Sequence, residues 1–74
     1  MITKQQINTI NYIVVCINDF ADRFVMDSWE SYRFLSQYGG IEFLLQHYDI
    51  EHTLSLEDTI EDLETICRQN GGVL

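Results

Sequence analysis

His47 and His52 are the only histidines of the chain and Cys16 and Cys67 the only cysteines, so any metal or nucleophilic chemistry must begin from these four side chains. Two imidazoles share a metal most readily three or four residues apart on one helix, but these two stand at i and i+5 with a predicted helix end between them. Asp49 or Glu51 completes a ligand set only in the way any acidic stretch would, and no metal or cofactor is expected. Cys67 with either histidine, or Ser55 with His52, would pair a nucleophile with a base, yet no nucleophile-elbow glycines, phosphate-cradling loop or H-E-x-x-H pattern accompanies them. The chain is therefore expected not to be an enzyme. A minor reading, a small enzyme using His52 and a nearby acid, would require a concave pocket around His52. The simpler expectation is that His52 fixes a turn by hydrogen bonding or faces a partner.

These side chains must be positioned by helices. Ile7, Ile10, Val14, Ile17, Ala21 and Phe24 recur at spacings of three and four, the stripe of a helix that buries one face. Ile13, Cys16 and Phe20 form a second apolar row beside it. Thr3 and Gln6 make a capping box that starts this helix near Lys4, and its end is predicted near Phe24 to Val25. Such a helix would be roughly 30 Å long at about 1.5 Å per residue, so the rest of the chain must fold back on it. Asp27 and Glu30 form a second box, opening a helix from Ser28 to Tyr38 with Ser31, Phe34, Leu35 and Tyr38 on one face and Trp29 and Tyr32 beside it.

Gly39 is expected in the left-handed conformation that ends this helix, with Gly40 completing a sharp corner. Ile41, Leu44, Leu45 and Tyr48 then read as a short third helix. Asp49 to Leu54 reads as an ordered connector without helix. Ser55 and Asp58 start a last helix with Leu56, Ile60, Leu63 and Cys67 inside, Ile66 adjacent, and Glu57, Asp58, Glu61 and Glu64 outside. The predicted fold is an all-α bundle of about four helices, one domain over residues 1–74.

Twelve acids against four bases give a net charge of −8, which argues against nucleic acid or an anionic membrane as ligand. The charge serves either solubility or a basic protein partner. Between Arg33 and Arg68 no lysine or arginine occurs, so the second half is an acidic face. The 46% hydrophobic content is high for a chain expected to bury only about 60% of its unfolded surface, and some apolar surface is left for another subunit or protein. The run from Tyr12 to Ile17 is too short for a membrane span or a signal peptide. Two buried thiols, rather than a disulfide, fit a reducing cytoplasm, the expected location.

Val14-Val15-Cys16-Ile17 with Phe20 and Ala21, then Tyr38-Gly39, Phe43-Leu44-Leu45 with Tyr48, His52-Thr53 and an acidic helix with Ile60, Asp62 and Leu63 together carry a resemblance over Val14 to about Gln69. The chain resembles a bacterial family of short proteins of unknown function, often encoded beside a predicted ADP-ribosyltransferase-like protein in what look like toxin–antitoxin loci. Ser31 stands where that family leads one to expect an apolar residue. The resemblance implies a protein-binding role, the neutralising half of a two-gene system, and brings no catalytic residues. Candidate partner-binding residues are Glu57, Asp58 and Glu61 on the acidic helix, Trp29 and Tyr32 on the second, and His52 and Thr53. The last two are read first as side chains that satisfy backbone groups. The alternative function is a self-associating domain, a homodimer burying Trp29 and Tyr32 or Val15 between copies.

Overall fold

Reciprocal side-chain bonds begin the first two helices. Thr3 Oγ1 accepts the Gln6 N–H at 3.2 Å while Gln6 Oε1 accepts the Thr3 N–H at 2.8 Å. Asp27 and Glu30 repeat the arrangement at 2.8 and 3.3 Å. The computed structural model describes residues 1–74 as an all-α fold, with α1 at Lys4–Phe24, α2 at Ser28–Gln37, α3 at Gly40–Gln46, α4 at Tyr48–Glu51 and α5 at Leu56–Gln69. Four of these are the expected helices. The fifth, α4, is a correction: one helical turn occupies the start of the segment read as a helix-free connector, separated from α3 by His47 alone.

Val25 ends α1 in the left-handed region at φ 56, an uncommon place for a β-branched residue, and its N–H reaches back to the Ala21 carbonyl. The chain then reverses so that α2 lies on the second half of α1. Ser31 is fully buried there, and its Oγ donates to the Ile17 carbonyl at 2.8 Å. A polar residue is tolerated at this apolar position because a main-chain oxygen meets its hydroxyl. Gly39 takes φ 82, as its corner requires. Gly40 begins α3 so close to α2 and α5 that an added Cβ would sit 2.8 Å from Leu35 Cδ2 and 3.4 Å from Cys67 Sγ. Asn70 Nδ2 donates to the Tyr38 carbonyl at 2.8 Å, tying the end of α5 to the same corner.

Cys16, Phe20, Leu35, Leu44, Ile60, Leu63 and Cys67 make the buried core. From α1 this takes the second apolar row. The expected stripe is corrected in its first half: Ile7, Ile10 and Val14 are exposed, while Ile17 and Phe24 are half-buried and Ala21 buried. The cause is length. At about 1.5 Å per residue, the ten residues of α2 span about half of what the twenty-one of α1 do, so the first half of α1 packs on the bundle only through Tyr12 and Ile13 and overhangs it on the side of Ile7, Ile10 and Val14. Leu45, expected inside, is 57% exposed, because Leu44 beside it already points into the core. The molecule measures 36 × 22 × 20 Å, and α1 is the helix long enough to set its long axis.

Candidate functional site

Ser55 Oγ accepts the Asp58 N–H at 3.1 Å and so starts α5 with Glu57 and Asp58 in its first turn, where the helix dipole favours negative charge. Glu57, Asp58 and Glu61 are all exposed. Arg68 binds Glu64 at 3.0 Å, the one ion pair of the molecule, so the three candidate acids face solvent without a basic neighbour. This face carries unneutralised charge held by a rigid helix.

Beneath it lies an acid that the sequence analysis treated as part of a connector. Glu51, the last residue of α4, is 4% exposed, and its Oε1 has no hydrogen-bond partner. Burial pushes its carboxyl up to about 7, and the neighbouring carboxyl of Asp62 on α5 adds to this by disfavouring the charged form. The Glu51 carbonyl accepts the Thr59 hydroxyl at 3.2 Å, and Thr59 Oγ1 in turn lies 3.1 Å from the Tyr12 hydroxyl. Thr59 has a single proton, so Tyr12 donates in that pair. Burial pushes Tyr12 up to about 12 and keeps its proton in place. The chain Tyr12, Thr59, Glu51 thus stitches α1, α5 and α4 together.

His52 and Thr53 both bond to α4. His52 Nδ1 lies 2.7 Å from the Tyr48 carbonyl, with its ring stacked on the Tyr48 ring at 4.5 Å, and Thr53 Oγ1 donates to the Ile50 carbonyl at 2.6 Å. Their side chains close the helical turn, and both residues remain exposed. None of the surface grooves is lined by His52. Trp29, 64% exposed, stacks on exposed Tyr32 at 5.7 Å on the outer side of α2. No hydrogen bond, ion pair or ring contact joins this aromatic pair to the acids of α5 or to His52. The aromatic pair of α2 thus makes no direct contact with the other candidate residues.

Cys16 and Cys67 are buried and free, and burial pushes each thiol up to about 11, so neither is a thiolate at neutral pH. No helix is long and apolar enough to cross a membrane. A family model described as "Protein of unknown function (DUF3791)" matches residues 11–70, a span that includes every candidate residue. Neither a curated protein nor a solved structure matches the chain.

Proposed function

We propose that this chain, which belongs to the DUF3791 family of proteins of unknown function, is a cytoplasmic protein-binding module without catalytic activity that neutralises an ADP-ribosyltransferase-like protein encoded beside it. The observation that supports this reading is the row of Glu57, Asp58 and Glu61, exposed and unpaired on α5 while the one nearby base, Arg68, is taken by Glu64. Such a row speeds encounter with a basic cleft through long-range attraction, whereas affinity rests on a few apolar or aromatic anchors. The stacked Trp29 and Tyr32 have the chemistry of such anchors, and His52 and Thr53 offer polar contacts at the foot of α5. Free thiols at both cysteines suit the reducing cytoplasm.

The test is to replace Glu57, Asp58 and Glu61 together by lysine. All three side chains are exposed, so the helical circular dichroism should persist. Association with the neighbouring gene product, followed by surface plasmon resonance at low salt, should slow about tenfold or more, and its salt dependence should weaken. Unchanged association kinetics would reduce the acidic row to a solvating face.

A further inference from the structure

We propose that a second copy of this chain docks into the groove beneath the overhanging half of α1, forming a two-fold dimer through that helix. The groove holds about 560 Å³ and is lined by Ile2, Gln6, Thr9 and Ile10 on one side and Leu45 of α3 on the other. Ile10 is 52% and Leu45 57% exposed, and Ile7 and Val14 continue the apolar ridge along the outside of the helix. Five apolar side chains, Ile2, Ile7, Ile10, Val14 and Leu45, thus stand about half exposed or more in or beside the groove.

The charge pattern selects the occupant. From Gln5 to Asn18 the chain carries no acid or base, and no charged side chain lines the groove. A basic protein would find no carboxylate here to favour it. Two copies, each with a net charge of −8, repel one another across most orientations and least where both surfaces are neutral. The second copy also brings what the groove lacks, an apolar helical ridge of the same length. Each overhang then covers the other, and a two-fold pairing of identical patches closes without leaving an open end. The interface differs from the acidic face of α5, so the dimer can form whether or not that face has a partner.

Sedimentation velocity of the intact chain from low to high micromolar concentration is the experiment. A dimer is expected, with a dissociation constant that falls as sodium chloride is added, since salt screens the repulsion between like-charged copies. Ile10→Glu should weaken it at least about tenfold while leaving the melt of the dilute, monomeric chain near that of the wild type, because it places a charge at a neutral apolar contact. Leu45→Gln should weaken it from the other wall, and Trp29→Ala should leave it intact. A wild-type chain that stays monomeric throughout would overturn the proposal, and so would a dimer that survives Ile10→Glu. Lysine at Glu57, Asp58 and Glu61 should not disrupt the dimer, so the two readings fail separately.

Discussion

Phe20→Ala is expected to lower the melting temperature of the chain by roughly 15–40 °C. Phe20 is fully buried at the centre of the core, with its ring 4.6 Å from that of Phe24 and 5.9 Å from that of Phe34. Removing a buried phenyl group typically costs about 3–5 kcal/mol, the lost transfer free energy plus the cavity left behind. A domain of this length has a total stability on the order of 4–10 kcal/mol, so the loss takes from about a third to the whole of it. Few neighbours can move in, because α1, α2 and α5 are pinned by the Ser31 bond to Ile17, the Asn70 bond to Tyr38 and the contact of Tyr12 with Thr59. Thermal melting by far-ultraviolet circular dichroism measures the effect. Ile7→Ala, on the overhang of the same helix, provides the contrast and should shift the melt of the monomer by only a few degrees. A cooperative Phe20→Ala melt close to wild type would mean that α1 does not present this row to the core.

The fold should also be more stable in mild acid than at slightly alkaline pH, and Glu51 should be responsible. Its carboxyl titrates near 7 in the folded chain against about 4.5 ordinarily, so the folded form binds the proton more tightly. Below the ordinary value the carboxyl is protonated in both states and the full contribution is present. That contribution declines as pH rises above the ordinary value and is lost once pH passes through the folded one, amounting to on the order of 2–3 kcal/mol. The groups facing Glu51 are Asp62, whose charge opposes its ionisation, and Tyr12 and Cys16, which both stay neutral. Melting temperatures at pH 5 and pH 8 should differ by roughly 10–20 °C in a domain of this size. Glu51→Gln keeps the shape without the titration and should flatten the profile, with its largest gain at pH 8. The same drop in Glu51→Gln would assign the pH dependence to general repulsion among the acids.

Much of the backbone plan can be read from short-range chemistry. Capping residues three positions apart mark where α1 and α2 begin, and Gly39 marks the corner, because each pattern solves a local problem that does not depend on the rest of the fold. Coverage is a different matter. Both apolar rows of α1 satisfy the helical period, and the one that faces the core is decided by where α2 and α5 land. The helix lengths still carried a signal, since a ten-residue helix cannot cover one of twenty-one. Glu51 escaped for a related reason: it continues the period of Leu44 and Tyr48 at spacings of four and three, but a carboxylate in that place reads as the end of an apolar face. The acidic face of α5 was legible because a run of like charge at helical spacing remains outside wherever the helix packs.

Trp29 is the only tryptophan, and it sits on the outer side of α2, mostly in water and stacked on Tyr32. An indole already so solvated meets nearly the same surroundings when the chain unfolds, so its emission should scarcely register denaturation even as the tyrosines and the helical dichroism change. Fluorescence of this molecule is in effect a probe of its outside. A blue shift on mixing with another protein would report an event on the α2 face, in a chain whose folding the same signal largely ignores.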